Sequence, residues 1–258
     1  MVLAVVLSML LAACTSSTAD EGAPSTAGPT ADEVEVTAAP TPSPTSTTGD
    51  AGPATKPTRT RFAGRISAIP PALENEMLGT TWHEGCPVAI ADLRLVRFNY
   101  WGFDGEIKRG PMVVNASVAT DVLWVFDQLF EAGFPMKRVG LARAFHERRW
   151  EDDPDTRRSV TASFNCRVVI TPDGPGDEFS QHAYGLAVDV NPLQNPFVRS
   201  DGWVRNRFAE PYVDRSQDLP GMVHDGDVVV DAFAAIGWAW GGRWSGDTDY
   251  MHFSLLGR

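Results

Sequence analysis

Between Thr15 and Thr60 the chain has no leucine, isoleucine or aromatic residue. These 46 residues are mainly Thr, Ala, Pro, Ser and Gly, with repeated Thr-Pro and Ser-Pro steps. Such a stretch cannot bury enough apolar surface to offset the entropy of ordering it. It is expected to be an extended, disordered tether. Residues 61–258, 198 of the 258, remain to build a core, a size that fits a single domain. The net charge is −11, from 22 basic and 33 acidic residues, and −4 of it lies in the tether. An acidic chain argues against a nucleic-acid partner, because that affinity comes from clustered Lys and Arg. Composition also excludes a collagen-like fibre and a multi-span membrane protein.

Residues 2–13 form one apolar run that ends at Cys14. A transmembrane helix needs about 20 residues, so the run fits the core of a signal peptide instead. Leu11-Ala12-Ala13-Cys14 resembles the lipobox of bacterial lipoproteins, in which cleavage leaves a lipidated Cys at the new N-terminus. No Lys or Arg precedes the run, which departs from that pattern. The alternative is an ordinary secretory signal peptide, and both place the mature chain outside the cytoplasm. The expected division is a signal peptide over 1–13, a lipidated Cys14 with its tether over 14–60, and a domain over 61–258. With Cys14 set aside, Cys86 and Cys166 remain as an even pair in an oxidising compartment. They predict a disulfide, with two buried free thiols as the alternative.

In the folded part, Ser117–Glu131 carries apolar residues at helical spacing, with Ser117 as N-cap and Gly133 and Pro135 as stop. Val139–Phe145, Cys166–Ile170 and Gly185–Val190 read as strands, and Val228–Ile236 as a helix ended by Gly237. Trp238–Trp240 and Met251–Leu255 read as closing strands. Helices and strands show no βαβ rhythm, so the expected class is α+β, a single domain with a central antiparallel sheet flanked by helices.

Chemistry-bearing residues concentrate in two segments, Ser180–Asp189 (SQHAYGLAVD) and Asp247–Phe253 (DTDYMHF). In the first, a His precedes a strand that carries an Asp seven residues later, and Gly185 permits a turn between them. Asp189 lies among apolar residues and needs a metal or an Arg to face it. In the second, Asp249 and His252 are three apart. His182, Asp189 and His252 make three ligands and leave a fourth tetrahedral position for water, the pattern of a catalytic zinc. Asp249 is left over as a base. The alternative for each His–Asp spacing is a structural hydrogen-bonded pair.

These residues carry a family resemblance. SQHAYGLAVD is similar to the S-x-H-x-x-G-x-A-x-D signature of the zinc D-alanyl-D-alanine carboxypeptidases, which include vancomycin-resistance enzymes and phage L-alanyl-D-glutamate peptidases. WAWGGRW followed by DYMHF resembles their C-terminal W-x-W-G-G-x-W and D-x-x-H-F. Phe164-Asn165-Cys166-Arg167, Asp189-Val190-Asn191-Pro192 and Asn195-Pro196-Phe197 resemble one bacterial branch. The resemblance implies the hedgehog/D,D-peptidase type of fold, zinc on His182, Asp189 and His252, and Asp249 as general base. It implies that Arg167 steadies the polarised carbonyl oxygen. Many relatives have Glu at the base position, and the endolysin-like branch has Asp.

The function implied is hydrolysis of peptidoglycan stem peptides, foremost as a D-alanyl-D-alanine carboxypeptidase. The alternatives are L-alanyl-D-glutamate endopeptidase activity and a non-catalytic zinc-containing wall-binding module. Expected partners are stem peptides and, through the lipid anchor, the membrane, with the chain a monomer. Ser180 reads either as a cleft hydrogen-bond donor or as a turn cap. Arg167 has the alternative of a surface salt bridge. Trp238, Trp240 and Trp244 read as core or as cleft wall. No role is assigned to His83, His146, His224, Arg143 or Arg157.

Overall fold

Two apolar cores organise the protein, and one long strand separates them. The computed structural model describes residues 61–142, 159–171, 174–204 and 206–257. The signal segment, Cys14, the tether, Arg143, His146 and Arg157 lie outside the described residues. The described residues belong to one compact unit, Pro57–Arg258.

Strands β1 (Gly64–Ala68), β2 (Leu93–Trp101) and β3 (Ile107–Asn115) form an antiparallel sheet in the order β1-β2-β3. Successive side chains of a strand point to opposite faces. On β2, Val96, Phe98 and Tyr100 therefore enter the larger core, while Leu93 and Leu95 enter the smaller one. The buried face therefore changes along the strand, and the alternation of polar and apolar residues switches phase between Leu95 and Val96. The smaller core collects Leu73 and Met77 from helix α1 (Pro71–Met77), with Val113, Phe164 and Cys166. The Cys86–Cys166 disulfide closes a separation of 80 residues beside it.

Helix α2 (Ala119–Glu131) lies on the other face of the sheet. Val122, Val125, Phe126 and Leu129 recur at helical spacing and are fully buried. Phe126 stacks on Phe98 with ring centroids 4.3 Å apart. The helix end is closed by Gly133 N–H donating to Phe130 O and Phe134 N–H to Leu129 O. Its start differs from the expectation. Ser117 lies within a 3₁₀ turn, Ala116–Val118, and the side chain of Asn115 accepts from Ser117 N–H in the capping position. Asn115 has the extended backbone that a cap requires, and Ser117 is already inside the turn.

The remaining strands are short. β4 (Arg138–Val139) and β5 (Val160–Thr161) pair in parallel, and β6 (Val168–Thr171) and β7 (Gly174–Phe179) form a hairpin. β8 (Ala187–Asp189), β10 (Ala239–Trp240) and β12 (His252–Ser254) form a second antiparallel sheet, order β10-β12-β8. β9 (Phe197–Val198) pairs with β11 (Thr248–Asp249). Helix α3 (Val228–Ala235) packs on α2, with Asp227 capping it through Val229 and Val230 N–H. The class is α+β, as expected. Among the described residues the antiparallel pairing is divided, however, among two three-stranded and two two-stranded sheets instead of one central sheet. The strands expected over 139–145 and 185–190 shrink to two and three residues within the described residues.

Candidate metal centre

Register builds the site. β8 and β12 are antiparallel with Asp189 opposite His252, so the two side chains occupy neighbouring positions on one face. Asp189 Oδ1 lies 3.2 Å from His252 Nδ1. His182 arrives from the 3₁₀ turn Gln181–Tyr184, just before β8. Its N–H donates to Ser180 Oγ at 3.4 Å. Gly185 then takes φ +68 and reverses the chain into β8. A Cβ there would come within 2.6 Å of Asn115 N, so glycine is needed for space as well as for conformation. The result places His182 Nε2 3.2 Å from the same Asp189 Oδ1. The two imidazoles meet edge-on, with centroids 5.2 Å apart.

His182 and His252 are 4% and 6% exposed, whereas the Asp189 side chain is 23% exposed, so the cluster opens through its carboxylate. His182 Nδ1 is 2.7 Å from Ser163 O and donates to it, because a carbonyl can only accept. Its Nε2 then holds the lone pair. A lone pair facing a carboxylate oxygen at 3.2 Å is repulsive unless a cation lies between them. Burial works to raise the Asp189 carboxyl; positive charge on the facing imidazoles would hold it well below the usual carboxylate range, and a bound cation takes over that role when His182 is neutral. Positive charge at this spot thus keeps the carboxylate ionised. Ligand atoms 2.0–2.1 Å from a tetrahedral ion lie about 3.3 Å apart, close to both measured separations. The donor set, two nitrogens and one carboxylate oxygen, fits zinc.

The flanking residues fall into place by contact. Asp249 is on β11, opposite Phe197, and does not join the converging atoms. Tyr250 N–H donates to Pro196 O, and Trp240 Nε1–H donates to Tyr250 O, which fixes the turn between Asp249 and His252. The two glycines of Trp240-Gly241-Gly242 follow from close approach. A Cβ on Gly241 would reach Asp249 O at 2.5 Å, and one on Gly242 would strike the Trp240 ring. Arg167 lies beside the His182 turn. Ser180 N–H donates to Arg167 O, Asn165 N–H donates to His182 O, and Arg167 Nη1 donates to Val168 O. Ser180 Oγ caps this turn by accepting from His182 N–H. Trp238 and Trp240 are core, and Trp244 packs against His252 at 5.6 Å between centroids. Its indole N–H is buried and finds no acceptor among the described residues.

The second group of metal-capable side chains among the described residues is His83, Cys86 and Cys166, but the disulfide engages both sulfurs. His224 faces Asp218 across 4.0 Å, away from the cluster.

Several supporting residues have no sequence signal of their own. Ser163 holds both His182, through its carbonyl, and Ala187 O, through its hydroxyl at 2.6 Å. Asn195 Nδ2 donates to Val190 O and Gly221 O, and its Oδ1 accepts from Val223 N–H and Arg215 Nη2. The Arg215 guanidinium also lies 4.4 Å from the centre of the Tyr250 ring. Asn195 stands in a motif and could have been flagged there; Arg215, from a separate loop, could not.

Two buried histidines and a half-buried carboxylate, converging with one side open, fit a metal centre of the catalytic kind. Residues 173–255, which supply all three and Asp249, match the family model described as D-alanyl-D-alanine carboxypeptidase. Over this stretch the chain is similar to that peptidase family. Arg167 and Cys166 precede the matched residues. Searches of curated proteins and of solved structures found no match.

Proposed function

We propose that the chain is an exported, lipid-anchored zinc peptidase that removes the terminal D-alanine from peptidoglycan stem peptides. The observation that carries this reading is the convergence of His182, Asp189 and His252 inside the family-matched segment. When bound there, zinc supplies Lewis acidity, lowering the pKa of water and polarising the scissile carbonyl. His182 and His252 supply neutral donors, and Asp189 supplies the negative charge that balances the ion. Asp249 takes the proton of the attacking water and returns it to the leaving amine. Arg167 donates to the carbonyl oxygen as charge develops on it. Trp244 covers the His252 side and offers its indole N–H to a substrate carbonyl. The low-complexity stretch between Cys14 and the domain suits an enzyme that works on the wall from a membrane anchor.

Asp rather than Glu at the base position favours a second reading, internal cleavage between L-alanine and D-glutamate. Mass spectrometry of muropeptides after incubation with the full chain separates the two. Loss of one alanine mass is expected. Release of a stem peptide would support the second reading, and unchanged muropeptides would contradict both.

A further inference from the structure

The outer face of the β1-β2-β3 sheet has two unlike halves. At one end Leu93, Leu95 and Val113 are covered by the smaller core. At the other end the same face carries Arg65, Arg97 and Arg109, all exposed. Arg65 stands directly opposite Arg97 across β1 and β2. Arg97 stands opposite Pro111, two residues along β3 from Arg109. Neighbouring strands are about 4.8 Å apart and diagonal positions about 7–8 Å, so three guanidinium groups crowd one small area. Like charges directly opposite in a sheet are destabilising. Among the described residues, none of the three side chains makes a hydrogen bond or ion pair. They border a groove of about 760 Å³ with Ser67 and Pro111.

The net charge of the chain is −11, so three exposed arginines on one small face stand against its overall charge. A single carboxylate would neutralise only one guanidinium. Three in file match a ligand with negative charges repeated along its length, and the guanidinium fork suits phosphate oxygens. The groove offers no base-stacking surface. Phe98 is its one bordering aromatic residue, and that ring is stacked on Phe126 at the opposite face of the sheet. Its location is also separate from the metal centre. Asn115 N–H donates to Gly185 O beside the His182 turn, and Arg109 is six residues back along β3, about 20 Å away.

We propose that this arginine groove binds an extended phosphodiester polymer with uncharged units between its phosphates. The inference goes beyond the peptidase reading and does not depend on it. The groove holds the polymer by local charge while the acidic remainder of the chain repels it, so binding weakens steeply as salt rises.

The test is titration of the full chain with poly(glycerol phosphate), followed by fluorescence anisotropy. Saturable, salt-sensitive binding is expected, weakened about tenfold by Arg97→Gln and lost in the triple variant Arg65→Gln/Arg97→Gln/Arg109→Gln. Thermal melting of the free triple variant should be no lower than that of the parent, because a repulsion has been removed. No binding, or equal binding by the triple variant, would overturn the proposal. So would tighter binding to single-stranded DNA, equal binding to poly-glutamate, or binding only to phosphatidylglycerol vesicles.

Discussion

Asp189 Oδ1 is the single atom on which both imidazoles converge, each at 3.2 Å. Its neighbours are held so firmly that removing one donor leaves the others in place. His182→Ala should therefore abolish stoichiometric metal binding while the fold persists, checked by metal analysis beside circular dichroism. Asp249 is different in kind, because it stands outside the cluster. Asp249→Ala should keep the metal and lower turnover about 10²–10⁴-fold, the range of a general base. Undiminished turnover would exclude it from that role. Trp244→Phe keeps the ring against His252 and deletes only the unpartnered N–H. It should raise KM several-fold with little change in kcat, since a hydrogen bond to the bound substrate is worth about 1 kcal/mol.

Elements show where the sequence could be read and where it could not. Helix α2 has one buried face, so its period was visible, and Phe126→Ala should cost about 3–5 kcal/mol in urea unfolding. α3 was legible for the same reason, together with its stop near Gly237. The β2–β3 hairpin left no such mark. Its central strand changes buried face along its length, so the alternation switches phase between Leu95 and Val96 and Leu93 to Tyr100 lacks one continuous period. The metal centre was legible because its ligands sit close in sequence to shapes that need particular residues: a left-handed Gly185, and a Gly241 against Asp249. The shell behind them was not. Ser163 acts through its backbone carbonyl, and Arg215 reaches Asn195 and Tyr250 across a loop, contacts with no periodicity to detect.

At the scale of the molecule, the disulfide and the metal centre share one span of chain. Cys166 donates its N–H to Thr81 O, and its neighbour Asn165 donates to His182 O. In the chain-entropy view, closing 80 residues stabilises the domain by about 4 kcal/mol. Cys86→Ser/Cys166→Ser should thus melt roughly 10 °C lower, as scanning calorimetry would show, with metal binding retained below the transition. His182, Asp189 and His252 are arranged to hold a cation. Titration of the metal-stripped full chain with zinc, followed by calorimetry, tests it directly. One equivalent should bind tightly in the parent and none at that affinity in His182→Ala. A folded parent that takes up no zinc, or a variant that binds as the parent does, would contradict the account.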